Sequence, residues 1–117
     1  MNKVIIAGGR EFNQYQLLKL KCDKILSQMT DVIIISGGAR GADKLGENYA
    51  KEKGYKCERY EADWDTYKKA AGPIRNEEMA KVGTHLIAFW DGKSTGTKNM
   101  IEVATSYGLK VRVIKYA

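Results

Sequence analysis

The sequence predicts an α/β fold: a single Rossmann-like, doubly wound domain with a five-stranded, mainly parallel sheet of order 3-2-1-4-5 and helices on both faces. Five short β-rich runs alternate with helical patterns along the chain. Because such alternation joins parallel strands by right-handed helical crossovers, helices are expected on both sides of the sheet. The 117 residues, 44% of them hydrophobic, suffice for one core and lie below the size at which chains usually divide. We therefore expect residues 1–117 to form one domain.

The predicted strands are short runs rich in apolar and β-branched residues. They are residues 3–7, 32–36, 57–60, 85–90 and 111–115. The segment 61–72 between the third strand and the next helix breaks strict periodicity. It contains Trp64 and Tyr67 and is predicted as a loop with a short helical turn.

Four helices fill the remaining gaps. In the first, apolar residues recur every three or four positions between Tyr15 and Met29, which gives one apolar face. Residues 42–50 repeat that spacing and predict the second helix. Pro73 suits the first turn of a third helix that ends near residue 82, and residues 97–107 predict a fourth, closed by Gly108.

The predicted topology places a ligand site beyond the carboxyl ends of the strands, where the winding direction reverses between strands one and four. The loops 8–12 and 91–97 meet at that point, with the segment 36–43 and the approach to Arg75 beside them. The glycine-rich segments of the chain are therefore expected to converge on one edge of the sheet.

Three arginines accompany these glycines: Arg10 in Ala-Gly-Gly-Arg, Arg40 in Ser-Gly-Gly-Ala-Arg and Arg75 in Ala-Gly-Pro-Ile-Arg. Glycine allows close approach of backbone to a ligand, helix N-termini offer unpaired N–H groups, and the guanidinium fork matches phosphate. The pattern predicts an anion-binding cleft for a phosphate-bearing ligand.

Several familiar nucleotide and catalytic motifs are incomplete. Gly92-Lys93-Ser94-Thr95 imitates the end of a P-loop, but position 87, where the first glycine belongs, is Ile. The dinucleotide fingerprint lacks its later glycine after Gly8-Gly9. With His85 as the sole histidine, neither a Ser-His-Asp triad nor a metal site can be assembled. We expect no metal and no cofactor.

Composition narrows the cellular context. Cys22 and Cys57 lack metal spacing and are expected to be reduced core residues. No apolar stretch is long enough for a membrane helix, and the first residues run into a strand instead of a signal peptide. We expect a soluble, cytoplasmic protein.

The net charge of +6 has two explanations. It is either the sum of lysines spread over solvated helix faces or a field that attracts polyanions.

In five segments the chain resembles the SLOG superfamily, the nucleotide-binding fold shared by Lonely Guy phosphoribohydrolases and the Smf/DprA proteins, and most of all its YspA-like, cpYpsA-related branch. The segments follow one another in the family's order. They are Ile6-Ala7-Gly8-Gly9-Arg10 to Phe12, Ser36-Gly37-Gly38-Ala39-Arg40-Gly41-Ala42-Asp43, Ala62-Asp63-Trp64, Ala70-Ala71-Gly72-Pro73-Ile74-Arg75-Asn76 with Met79, and Gly96-Thr97. The resemblance covers nearly the whole chain. It implies a nucleotide-binding domain over residues 1–117 and the formation of homo-oligomers.

The resemblance to the phosphoribohydrolases is interrupted at their catalytic glutamate. Arg75, Met79 and Gly96-Thr97 match their motifs, but the glutamate position is occupied by Met100. Glu102 lies two positions further, about 200° around a helix, and is expected to point away. Asp43 and Asp91 remain candidate catalytic carboxylates for N-glycosidic cleavage. A structural role is favoured for both: Asp43 as a helix-turn or arginine-pairing residue, and Asp91 as a turn residue.

Three functions compete on these observations. The first is binding of a nucleotide, an ADP-ribose-like molecule or a cyclic nucleotide, as a sensor or a sequestering protein. The second is N-glycosidic hydrolysis of a nucleotide, and the third is DNA binding. For the first, the candidate ligand-binding residues are Gly8, Gly9, Arg10, Ser36, Gly37, Gly38, Arg40, Asp43, Trp64, Arg75, Asn76, Trp90, Ser94, Thr95, Gly96 and Thr97. Backbone N–H groups and arginines would hold phosphate, hydroxyl groups would hold phosphate or ribose, and a tryptophan would stack on a base.

Overall fold

Five strands alternate with helices in the computed structural model, which describes residues 1–116. The strands are β1 (Asn2–Gly8), β2 (Val32–Ser36), β3 (Lys56–Arg59), β4 (His85–Trp90) and β5 (Lys110–Lys115). The helices are α1 (Tyr15–Leu26), α2 (Ala42–Lys53), α3 (Trp64–Tyr67), α4 (Ala71–Val82) and α5 (Thr95–Ser106). A 3₁₀ turn, Lys68–Ala70, connects α3 to α4. The short helical turn expected within residues 61–72 is confirmed and extends into α4.

All strand pairs are parallel, and the sheet order is β3-β2-β1-β4-β5. Val4 of β1 pairs with Ile34 of β2 on one side and with His85 of β4 on the other. The predicted α/β fold, its strand order and its doubly wound topology are confirmed. The sheet, expected to be mainly parallel, is parallel throughout.

Two apolar layers cover the faces of the sheet. Leu18 and Cys22 of α1 and Tyr49 of α2 pack on one face, against residues such as Ile6 and Ile34. On the other face, α4 and α5 pack against Ile5, Leu86 and Ala88, with contributions from Met79 and Met100. Because both faces of the central strands are covered, β1, β2 and β4 are buried almost throughout.

The two edge strands are more exposed, and this corrects the expectation for one cysteine. Cys22 is fully buried on α1, as expected for a core residue, and burial raises the pKa of its thiol to about 12. Cys57, expected in the core as well, is exposed on β3. An edge strand pairs on one side only, so its side chains receive less cover than those of the central strands.

Backbone contacts join the loops at the carboxyl edge of the sheet. The amide of Ala42 donates to the carbonyl of Gly9 at 3.2 Å, and the amide of Gly9 donates to Phe89 O at 3.2 Å. Gly41 has φ 81°, and a side chain there would collide with the carbonyls of Gly9 and Arg10. Glycine at position 41 therefore allows the loops after β1 and β2 to touch.

Within residues 1–116, no helix combines the length and the apolar composition needed to cross a membrane.

Candidate functional site

A cavity of about 590 Å³ opens at the carboxyl ends of β1 and β4, where the winding of the sheet reverses. It is within the size range of small-molecule sites. Its walls come from the loop after β1, the start of α2, the segment before α4 and the loop that leads into α5. Of the predicted site residues, those on these walls are Gly8, Gly9, Arg10, Asp43, Trp64, Arg75, Asn76, Asp91, Ser94, Thr95, Gly96 and Thr97.

The N-terminus of α5 forms one wall. Asp91 organises the preceding loop, because its Oδ1 accepts hydrogen bonds from the amides of Lys93 and Ser94, both at 2.8 Å. The Ser94 side chain then caps the helix by accepting from the amide of Thr97. Thr95 and Gly96 lie in the first turn, where N–H groups have no acceptor within the helix. A Cβ added at Gly96 would meet no atom within 4 Å, so an anion could approach this turn closely.

Asp43 lies in the first turn of α2 and is almost fully buried. Its Oδ2 accepts a hydrogen bond from the amide of Ala39 at 3.3 Å. Burial raises the pKa of Asp43 to about 6, although the positive charge of Arg75 and the Ala39 amide oppose the shift. Among residues 1–116, no Lys or Arg nitrogen lies within ion-pair distance of its carboxylate. A buried carboxyl group thus faces the cavity with a pKa close to neutrality.

Asp91, the other candidate carboxylate, has the opposite electrostatics. The amides of Ser94 and Lys93 stabilise its ionised form and hold the pKa of the carboxyl below its ordinary value. This is the behaviour of a turn residue that accepts backbone hydrogen bonds. The two aspartates are therefore suited to different tasks.

Arg75 of α4 reaches across to the loop after β2. Its Nη1 donates to the carbonyl of Gly37 at 2.6 Å, and its Nε donates to Oδ1 of Asn76 at 3.0 Å. Burial lowers the pKa of Arg75, while the nearby Asp43 acts in the opposite direction. A Cβ at Gly37 would approach Arg75 Nη1 to 2.6 Å and Asp43 Oδ2 to 2.8 Å, so this junction requires glycine.

Asn76 links α4 to α5. The side chain is buried, and its Nδ2 donates to Asn99 Oδ1 at 2.9 Å and to the carbonyl of Gly96 at 3.4 Å. The wall of the cavity is thereby held by a polar contact between two helices.

Arg10 and Trp64 stand at the rim. The guanidinium carbon of Arg10 lies 5.9 Å from the centre of the Trp64 ring, in cation–π range. Trp64 is 48% exposed, so its ring has free surface for another planar group.

A second cavity of about 370 Å³ adjoins the first and shares Arg10, Ala39, Trp64 and Arg75 with it. Gly37, Gly38 and Arg40 add to its wall. The three arginines of the sequence pattern meet here, against one lining carboxylate, Glu61. Arg40 is largely exposed, and its Nη2 donates to Glu11 Oε1 at 2.8 Å.

Comparison with known proteins places the chain in a family. The model of the YspA, cpYpsA-related SLOG family matches residues 2–67. The chain belongs to this family. The Gene 61 protein of Mycobacterium phage D29 is 30% identical over 118 residues, which cover 95% of this chain and 94% of that protein.

A solved structure has a similar fold. DNA processing protein A (DprA) from Streptococcus pneumoniae aligns over 99% of this chain with a TM-score of 0.71 and 20% sequence identity. The chain spans 50% of the DprA chain. At this identity the likeness shows the fold, which is the α/β arrangement described above.

Two predicted residues of this SLOG domain do not reach either cavity wall. The Ser36 hydroxyl is buried and donates to Glu47 Oε2 at 2.7 Å, while it accepts from the amide of Gly38 at 3.1 Å. Trp90 donates from its indole Nε1 to the carbonyl of Ser94 at 3.1 Å. Both side chains therefore make hydrogen bonds that hold the neighbouring loops and, for Ser36, also helix α2.

Sequence reasoning missed four polar residues on the wall of the first cavity: Glu11, Lys69, Asn99 and Tyr116. Glu11 lies in the loop after β1, where only the glycines and Arg10 were expected to contact a ligand. Asn99 could have been found, because it follows Gly96 by three residues and so shares its helix face. Tyr116 comes directly after β5, and topology alone brings that position to the carboxyl edge. Lys69 belongs to the 3₁₀ turn, whose path no sequence pattern predicts.

Met100 lines the first cavity and is 1% exposed, whereas Glu102 is exposed and lies off the wall. The position that the sequence resemblance matches to the phosphoribohydrolase glutamate is thus occupied by a buried apolar side chain. Among the described residues, no group of three or more His, Cys, Asp or Glu side chains could hold a metal ion.

Proposed function

We propose that this SLOG protein binds a phosphate-bearing, nucleotide-derived small molecule at the two adjoining cavities, as a sensor or sequestering protein. The observation that carries the proposal is the meeting of Arg10, Arg40 and Arg75 around the Gly37-Gly38 loop, beside a larger cavity of mixed polarity. Membership of the SLOG family supports a nucleotide-related function.

The chemistry of the walls suggests how such a molecule would lie. Phosphate would contact the first turn of α5 and the arginine cluster, since helix N-termini and guanidinium groups both favour anions. A base would stack on the exposed face of Trp64, and the amide of Asn99 would offer hydrogen bonds to a ribose.

The first test measures thermal shift with a panel of nucleotides, ADP-ribose derivatives and cyclic nucleotides, and analyses each mixture by mass spectrometry. We expect stabilisation by at least one compound that is recovered intact. No shift with any phosphate-bearing compound would contradict the proposal.

Arg10 provides the sharper test, because it lines both cavities. Among the described residues, its guanidinium contacts the Trp64 ring and forms no hydrogen bond or ion pair that a substitution would remove. Arg10→Ala should weaken binding of the stabilising compound by about 1.5 to 3 kcal/mol, the value of a charge-assisted hydrogen bond. The control is Arg112→Ala, an exposed arginine on β5 that lines neither cavity. Calorimetry measures the affinity of both variants for the stabilising compound. Equal affinity of the Arg10 variant and the control would argue against the site.

A second candidate function is N-glycosidic hydrolysis, and the electrostatics of Asp43 favour it. A carboxyl group with a pKa of about 6 can exchange a proton near neutral pH, which suits a general acid or base. The ionised, hydrogen-bonded Asp91 is less suited to that task.

Free base released from a bound nucleotide would distinguish hydrolysis from binding. In that case Asp43→Asn should abolish release while the compound still binds, because the amide keeps the shape and cannot transfer the proton. Asp91→Asn serves as the comparison. Full turnover by the Asp43 variant would eliminate Asp43 as the acid or base.

DNA binding, the third function suggested by the sequence, receives little support from the first cavity. Its charged side chains are balanced, with Arg10, Lys69 and Arg75 against Glu11, Asp43 and Asp91. A polyanion would gain little from that wall.

A further inference from the structure

A third concave region lies away from both ligand cavities. It is a groove of about 550 Å³ between α1 and the free edge of the sheet, next to β4 and β5. It shares no lining residue with the two cavities at the carboxyl edge. We refer to it as the α1–β5 groove.

The strand order explains why the groove exists. β5 pairs with β4 alone and forms one edge of the sheet. Ile25 and Met29 from the end of α1 and Ile114 from β5 contribute apolar surface to the groove. No second helix covers β5 on this face, because α1 and α2 pack with the β1 and β2 side chains and α4 and α5 occupy the opposite face.

The charge of the groove is of one sign. Lys21 and Lys24 stand on the α1 wall, and Lys110 and Arg112 stand on the β5 wall. The lining includes no Asp or Glu. Four cations therefore face one concavity without a lining carboxylate.

These cations also lack acidic partners. Within residues 1–116, none of the four has a carboxylate oxygen within 4.0 Å, whereas Lys19 of the same helix pairs with Glu52 and Lys53 pairs with Asp23. Burial and the charge of Lys110 both lower the pKa of His85, which also lines the groove. The groove is thus a region of uncompensated positive potential.

Protection of an edge strand explains only part of this arrangement. Charged residues on β5 discourage pairing with a strand of another molecule, which accounts for Lys110 and Arg112. It does not account for Lys21 and Lys24, which lie on a helix. Cations on two opposed walls instead fit a linear anion that runs between them.

We propose that the α1–β5 groove binds the phosphodiester backbone of duplex DNA without reading its sequence. No Phe, Tyr or Trp side chain lines the groove, so it lacks the large stacking platforms that single-strand binders use. Its concave shape and the absence of protruding aromatic residues do not fit insertion into a lipid surface. This inference goes beyond the proposed binding of a small molecule at the carboxyl edge.

The direct test is fluorescence anisotropy with the full chain and a labelled random-sequence duplex of about 20 base pairs. Three to four phosphate contacts predict a fall in affinity of about 40- to 150-fold between about 50 and 200 mM salt, from a slope of roughly −0.9 per contact. A duplex of unrelated sequence should bind equally. No binding at the lowest salt would overturn the proposal.

Charge reversal locates the contact. K24E/K110E changes one cation on each wall and should weaken duplex binding at least tenfold and reduce the salt slope by about two. The matched control is K51E/K56E, which makes the same change in net charge at exposed positions on α2 and β3. An equal loss in both variants would show a general field and overturn the proposal. Thermal melting of both variants checks that they fold.

Two further arms separate this site from other anion sites. Arg10→Ala should leave duplex affinity unchanged even where it weakens nucleotide binding, and loss of duplex binding in that variant would assign the DNA contact to the cavities instead. Vesicles containing phosphatidylserine should not bind. Binding to vesicles but not to duplex, lost in K24E/K110E, would replace DNA by a membrane surface.

Discussion

Asp43 combines burial, hydrogen bonds from the backbone and a nearby arginine that forms no ion pair with it. Removal from water favours the protonated carboxyl and raises its pKa from 3.8 to about 6. Because the folded-state pKa lies above the unfolded value, the unfolded chain releases this proton first as pH rises. Asp43 therefore lowers the stability of the fold progressively from about pH 4 to pH 6, and the cost is constant above that range.

Asp43→Asn should remove this cost. We expect the variant to exceed the original protein in free energy of unfolding at pH 8, by up to about 3 kcal/mol for a shift of about two pKa units. The gain should shrink as pH falls from 6 to 4. Urea unfolding at a series of pH values measures it.

Asp91→Asn is the natural control, since its shift has the opposite sign. Its carboxylate is stabilised by backbone amides, so the contribution to stability is present at neutral pH and is lost as pH falls through the lowered pKa. Asp91→Asn should therefore reduce stability at neutral pH. A gain in stability for both variants would contradict these electrostatics.

At single residues, the sequence was informative where glycine or arginine followed a strand. The positions of Arg10 and Arg75 on the cavity walls were predictable. A charged residue that follows a parallel strand, or lies near a helix start at the same edge, is placed at the carboxyl edge of the sheet by the topology alone. Ser36 carries the same signal, yet its hydroxyl is directed to Glu47. The direction of a side chain depends on its neighbours in space, and the spacing of residues along the sequence does not identify those neighbours.

At the level of elements, the helix starts around the cavity are held to one another by side chains. Asn76 of α4 reaches the Gly96 carbonyl and the Asn99 side chain of α5. Two helices that lie on the same face of the sheet thus meet through a buried amide at the wall of the first cavity.

Asn76→Ala should destabilise the fold by about 1 to 3 kcal/mol, because the Asn99 amide loses a partner in a half-buried position. It should also weaken ligand binding, since the first turn of α5 is held by the same contact. The control is Asn48→Ala on α2, which is exposed and expected to change stability by about 0.5 kcal/mol or less. Denaturant-induced unfolding of the two variants measures the difference. Equal free energies of unfolding would show that the amide contact does not contribute to stability.

Element boundaries show the limit of sequence patterns. The helix predicted to continue to residue 29 ends at Leu26, and the one predicted from residue 97 begins at Thr95. The first difference arises because Met29 packs against the core from outside the helix. The second arises because Ser94, two residues earlier than expected, supplies the cap.

Over the whole molecule, the strand order was predictable because β-α alternation and right-handed crossovers leave few topologies. That order fixed the place of the cavity. It did not reveal the α1–β5 groove, whose four cations come from elements distant in sequence and look like scattered surface lysines along the chain. The homo-oligomer implied by the family resemblance stays a prediction that light scattering can measure.

The two regions of positive charge lie on separate parts of the surface and share no residue. If both proposals hold, a small ligand and a duplex would not compete for the same atoms. The charge of +6 would then serve two separate contacts.

The contact between Arg10 and the exposed ring of Trp64 has an optical consequence. The chain has two tryptophans; one forms the cavity rim, and the other, Trp90, donates its indole proton to the loop at the same wall. A planar group that stacks on Trp64 would change its emission intensity, and a shift of the Ser94 loop would alter that of Trp90. The protein therefore carries its own unlabelled reporter of occupancy, and Trp64→Phe would separate the signals of the two indoles.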